Sequence, residues 1–262
     1  MAQRATRAFV VQLALWNDMP LLDHFHPPLS RTHPWRGFHG AWAAAIARLL
    51  NAGVLPSGYY AVPFLDRDGP FEIDVAALRD SGTAEAGGDS DGPKMWAPAA
   101  PQVVAVEWPS VDEMRVEIFS DDGDPRLAAA IELVSPRNKD RPRAREAFTA
   151  KCADHLRHGR GLVVVDTVST RRASFHADLL AALGAEAPDA EPAALSATSY
   201  KSVAPEHGEG QLLSWPNEMQ IGQALPIVPL WLAADLTVPL DLESSHTAAC
   251  ADLRISSWPR LA

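Results

Sequence analysis

Apolar residues first recur at helical spacing over 35–51, where Trp35, Phe38, Trp42, Ile46, Leu49 and Leu50 form one stripe that also carries His39. Gly53 is the expected stop. Leu55-Pro56-Ser57-Gly58 marks a turn, and 59–65 reads as a strand. A second turn over 66–70 leads into a strand over 71–78. Alternation sets Phe71, Ile73, Val75 and Ala77 on one side of it and Glu72, Asp74 and Ala76 on the other. Residues 80–100 are poor in large apolar side chains and are expected to form a mobile surface loop. Segments 102–107 and 113–119 read as strands.

The chain is organised around 126–151. Residues 127–134 are a buried strand by pattern, with one carboxylate, Glu132, inside the apolar run. Ser135-Pro136 ends it, a basic loop follows, and then a helix. On that helix Ala144, Ala147, Phe148, Cys152 and Leu156 share a face, with Lys151 in the stripe and His155 beside it. Arg143, Arg145, Glu146, Thr149 and Arg157 fall off it. A strand carboxylate and a helix lysine are thus both aimed into the layer between sheet and helix. An ion there is costly unless paired or ligated. Two readings stay open: a structural Glu–Lys pair, or a functional site.

Beyond the helix, 161–168 is a nearly unbroken β-branched run that suits a central strand covered on both faces, with Asp166 as its one charge. Residues 173–194 read as a helical or loose excursion. Segments 195–204, 211–215 and 226–232 look extended, and Pro226, Pro229 and Pro239 confine the last to an edge or a covering strap. Asp241 can cap a final helix reaching about Cys250. The order predicts a single α/β domain over 1–262. Its core spans about 35–170 and its C-terminal extension about 195–255. Asp74, Glu132 and Asp166 lie on separate strands of a mixed sheet, with the helices of His39 and Lys151 packed against it.

Composition changes this picture little: 47% hydrophobic and 21% charged residues are ordinary for a globular chain of 262 residues. No apolar run is long enough for a membrane span, so no membrane partner is expected, and a cytoplasmic location is the default. Two cysteines suggest no disulfide framework. The net charge of −10 argues against indiscriminate coating of nucleic acid. The charge is uneven, however. Residues 137–172 hold 10 Lys/Arg against 4 Asp/Glu, while the remainder holds 13 against 29. The basic segment follows Glu132, which suits an anionic partner and equally a solvated helix face. No internal repeat, Gly-rich phosphate loop, Cys/His zinc spacing or serine elbow is found.

Acidic residues on neighbouring strands, such as Asp74 and Glu132, can take a divalent ion such as Mg²⁺ or Mn²⁺, with a lysine beside the developing negative charge. Here the chain resembles a known family. Trp35-Arg-Gly-Phe-His39, Leu55-Pro-Ser-Gly-Tyr59, Ile131-Glu-Leu-Val-Ser-Pro-Arg-Asn-Lys139, Lys151, Val238-Pro-Leu-Asp-Leu242 and Asp252-Leu-Arg-Ile255 look like the bacterial family catalogued as domain of unknown function 4058. The resemblance covers roughly residues 20–255, and Glu-Leu-Val-Ser-Pro-x-Asn-Lys is its specific part.

That family is similar to the PD-(D/E)XK, restriction-endonuclease-like nucleases, whose core is αβββαβ. The resemblance implies Asp74 and Glu132 as metal ligands and Lys151 as the catalytic lysine. Position 73 is Ile where the motif has Pro, and position 134 is Val where its lysine stands. Lys151 on the following helix is the matching lysine and Lys139 the second candidate. His39, His155 and Asp166 are secondary candidates, with Lys139 at the rim and the two histidines bordering the pocket. The implied activity is metal-dependent phosphodiester hydrolysis of nucleic acid, and the alternative is an inactive nuclease-fold binding or assembly module.

Overall fold

The computed structural model describes residues 19–63, 75–79, 99–106, 126–140, 142–171, 173–186, 193–203 and 210–255. A short helix α1 (Leu29–Thr32) precedes α2 (Trp35–Leu49), whose last turn widens into a π-turn at Leu50–Val54. Gly53 ends it at φ +137°, a conformation that only glycine adopts without strain. Strands β1 (Tyr59–Pro63), β2 (Val75–Arg79), β3 (Gln102–Val106) and β4 (Arg126–Leu133) follow, then helices α3 (Pro136–Asp140) and α4 (Pro142–Arg157) and strand β5 (Gly161–Asp166). The chain continues through α5 (Phe175–Ala182), β6 (Ser196–Val203), β7 (Gly210–Glu218), β8 (Ile227–Ala233), β9 (Leu236–Asp241) and α6 (Leu242–Asp252).

Among the described residues, seven strands form one mixed sheet in the order β1-β2-β4-β5-β6-β7-β3. Only β4 and β5 run parallel; the other neighbours are antiparallel. A parallel pair needs a long crossover, and α3 with α4 supplies it. The expected order of helix, strands, Glu132 strand, Lys151 helix and Asp166 strand is thus observed, and helices flank a mixed sheet.

One expectation needs correction. The basic stretch after Ser135 is a short helix rather than a loop, and Pro142, with no N–H to lose, opens the next helix. The strand at 102–106 is observed and pairs with β7 at the edge of the sheet. The proline-rich strap over 226–232 is half of a separate hairpin, β8–β9, lying across the sheet. The expected strand at 113–119, and all but residues 99–100 of the expected mobile loop at 80–100, lie outside the described residues.

The sheet has two covered faces. Ala129, Ile131 and Leu133 of β4, with Val163 and Val165 of β5, meet α2, α6 and the β8–β9 hairpin. Ala130 and Val134, with Leu162 and Val164, meet α4 and α5. Every residue of β5 is buried, as its unbroken apolar run requires. Phe38 and Trp42 are wholly buried on the first face, each contributing about 1.5–3 kcal/mol by burial or more. Trp42 Nε1 donates to Ser245 Oγ at 3.0 Å, joining α2 to α6. Asp241 caps α6 as expected, accepting from Ser244 N at 2.9 Å.

Two local devices fix the edges of this packing. Asn51 in the π-turn accepts from Ala61 N at 2.8 Å and donates to Ala61 O at 2.9 Å, so its amide serves β1 as a strand would. At the other device, Gly161 lies under β8. A Cβ built on Gly161 would come 2.0 Å from the Trp231 carbonyl oxygen, a backbone atom that no rotamer can move. Gly161→Ala is therefore expected to force β5 and the hairpin apart and to cost upwards of about 2 kcal/mol, measured as a lower urea midpoint. An unchanged midpoint would mean that the hairpin is not seated on β5.

Candidate functional site

Alternation along β4 turns Glu132, between Ala130 and Val134, toward α4. Lys151 points back from the buried face of that helix, which also carries Phe148, Cys152 and Leu156. Its Nζ donates to Glu132 Oε2 at 2.6 Å, with only 7% of the lysine side chain and 1% of the glutamate side chain exposed. The ammonium also lies 5.4 Å from the centroid of the Phe148 ring. The contact has the short length of a charge-assisted hydrogen bond. In so dry a place each ion depends on the other, because desolvating a lone carboxylate or ammonium costs several kcal/mol.

The second carboxylate oxygen is different. Glu132 Oε1 is buried and has no hydrogen-bond partner, and neither has His155 Nε2, 3.7 Å away. That separation is too long for a hydrogen bond. The site therefore presents one unengaged carboxylate oxygen beside one unengaged imidazole nitrogen. Thr149 is also buried with an unpartnered hydroxyl, although the stripe placed it off the core face. The buried arc of α4 is wider than an apolar stripe implies, because polar side chains fill its margin.

A second ion pair closes the end of the crossover. Lys139 Nζ lies 2.6 Å from Asp166 Oδ2 and 3.3 Å from the carbonyl oxygens of Val168 and Arg171, which accept from it. Asp166 Oδ1 accepts from Val168 N at 3.1 Å. Burial pushes the Asp166 carboxyl up to about 6, against the lowering effect of the Lys139 ammonium and the two hydrogen bonds. Lys139, expected at the rim of the site, is buried against Asp166, with none of its side chain exposed. Its position on a helical turn rather than a loop draws it inward.

The structure thus brings Glu132, Lys151 and His155 together, and pairs Lys139 with Asp166. Asp74 lies outside the described residues. His39 is half-buried on the opposite face of the sheet. It stacks on Trp35 and its Nε2 lies 3.1 Å from the Leu133 carbonyl oxygen, one residue beyond Glu132. Sequence reasoning missed a separate buried group, His24, His246 and Cys250. The available signal was His246 and Cys250 four residues apart on one helix face, a ligand spacing that a search for paired cysteines passes over.

Two outcomes follow for stability. Lys151→Ala leaves Glu132 buried without its counter-ion and should cost about 3–5 kcal/mol in urea denaturation, whereas the isosteric double change Glu132→Gln with Lys151→Met should cost much less. Equal losses would mean that the charges are not interdependent. For Asp166 the folded value is raised, so the protonated form favours folding. That contribution is complete below the ordinary value of 3.8 and is lost as pH rises through about 6. The stability of the wild type minus that of Asp166→Asn should therefore fall from pH 4 to pH 7, by up to about 3 kcal/mol at 1.36 kcal/mol per pH unit. A difference flat with pH would show the carboxylate to be ionised throughout.

No protein-family model, curated protein or solved structure matches this chain, so the chemistry of the site has to be read from its own donors and charges.

Proposed function

We propose that the chain is a metal-dependent phosphodiesterase of the PD-(D/E)XK type, acting on nucleic acid. The observation that carries the proposal is the Glu132–Lys151 contact, with Glu132 Oε1 left unengaged. An acid on the third strand of an α-β-β-β-α-β order, paired with a lysine from the next helix, supports the resemblance to that superfamily and to domain of unknown function 4058. The strand between β2 and β4 in sequence, β3, is taken up elsewhere in the sheet and does not break that order in space.

An unengaged carboxylate oxygen in a dry layer is the type of donor a hard divalent ion takes, so the residues fit Mg²⁺ or Mn²⁺. Glu132 would hold the ion with Asp74. When bound, it supplies a lowered pKa for water and a counter-charge for the phosphate. Glu132 Oε2 keeps Lys151 in place, and Lys151 holds its ammonium where negative charge develops on the phosphate oxygens. His155 Nε2 lies 3.7 Å from Glu132 Oε1 in the same buried layer. The basic stretch 137–172 is charged to receive an anionic backbone.

A second reading, a nuclease fold that binds or assembles without cutting, is favoured by the depth of the pair. A reacting phosphate must reach Glu132, and only 1% of that side chain is exposed. The test is cleavage of single- and double-stranded DNA and RNA with Mg²⁺ or Mn²⁺, alongside thermal denaturation with and without the ions. Catalysis predicts cleavage that needs metal and falls by at least about 100-fold in Glu132→Gln and in Lys151→Met, the scale of losing a charge-stabilising group. Metal-dependent stabilisation without cleavage selects the second reading. Neither stabilisation nor cleavage rejects the metal site.

A further inference from the structure

On the sheet face opposite Glu132, three potential ligands converge from distant parts of the chain. His24 comes from the segment before α1, and His246 and Cys250 from one face of α6. One donor atom from each lies within 4.8 Å of the others, and all three residues are buried. His24 Nε2 lies 3.2 Å from His246 Nε2, and Cys250 Sγ lies 3.8 Å from His246 Nδ1. At zinc–ligand distances of about 2.0–2.3 Å, tetrahedral donors end up roughly 3.3–3.8 Å apart. His246 meets His24 through Nε2 and Cys250 through Nδ1, so one neighbour is already near that spacing and a ring must turn to bring the third donor onto the same ion.

The cluster is poorly explained as a hydrogen-bonded pair. Two neutral imidazoles share one proton between their Nε2 atoms, and His24 Nδ1 is then left buried with no partner. An unsatisfied polar atom in such a place is costly. Phe38 stacks on His24 at 3.7 Å between centroids and Trp42 meets His246 edge-on, so a dry aromatic box surrounds the donors.

We propose that His24, His246 and Cys250 bind one zinc ion, which fastens the segment before α1 to the C-terminal helix α6. Two imidazoles and one thiolate are the donor types zinc shares with other thiophilic ions. On binding, the Cys250 S–H gives up its proton to solvent and the thiolate takes the metal, with no change of oxidation state. The site is separate from the Glu132 layer, and its success or failure does not depend on the nuclease reading.

The test uses the full chain, stripped of metal and titrated with Zn²⁺, and separately with Co²⁺ as a coloured substitute. One equivalent of Zn²⁺ should bind, and the melting temperature should rise with the logarithm of free zinc. Bound Co²⁺ should give a thiolate-to-metal charge-transfer band. The chain has two cysteines, so Cys152→Ala should keep that band and Cys250→Ser should abolish it. Glu132→Gln should leave it intact. If Cys250→Ser does not fold, the wild type and Cys152→Ala still decide the matter. No charge-transfer band in the wild type, or its loss in Cys152→Ala, overturns the proposal. Copper(I) is the competing occupant: one equivalent of Cu⁺ that Zn²⁺ cannot displace would overturn the assignment to zinc.

Discussion

The constraint on which the architecture turns is the burial of Glu132. A carboxylate in the middle of a central strand cannot be hydrated, and it cannot be left alone. Lys151 answers it from the next helix, so the rotation of α4 on the sheet is set by charge as well as by shape. The same layer contains a second matched pair, Lys139 with Asp166. Apolar packing would tolerate small slides of a helix over a sheet. Two ion pairs at 2.6 Å do not, since a slide of an ångström or two would strand four charges in a low dielectric. The crossover between the two parallel strands is accordingly fixed at both ends.

The two faces of the sheet divide the polar chemistry between them. The α4 face carries the two buried ion pairs, and the α2–α6 face carries the His24–His246–Cys250 group among aromatic rings. Alternation along β4 keeps them apart, with Glu132 turned one way and Ile131 and Leu133 the other. His39 touches the same strand from the aromatic side, through the Leu133 carbonyl rather than through any side chain of the charged layer.

Much of this was legible in the sequence because it is local. A lone acid in an apolar run and a lone lysine in an apolar stripe are each visible within ten residues, and they do meet. The β5 run and the Asp241 cap are equally local. What escaped depends on contacts between distant residues. Lys139 is expected only at the rim of the site, and its partner Asp166, 27 positions away, gives no local sign of the pairing. The destination of β3 is decided by pairing with β7, more than a hundred residues later. His24 and His246 are 222 positions apart, and nothing near either announces the other.

The amide of Asn51 makes the two borders of the sheet unequal. On β1 it occupies both outward backbone groups of Ala61, the donor and the acceptor that an incoming strand would need at that position. At the far border β3 pairs with β7 on one side, and no described strand lies on the other. Its Val103 is well exposed. Among the described residues that side of β3 carries no strand, and an uncovered strand edge beside an exposed valine is the kind of template on which chains associate edge to edge. Among the described residues the two borders thus differ: a single carboxamide occupies the strand-pairing groups of Ala61 at one, and nothing does so for β3 at the other.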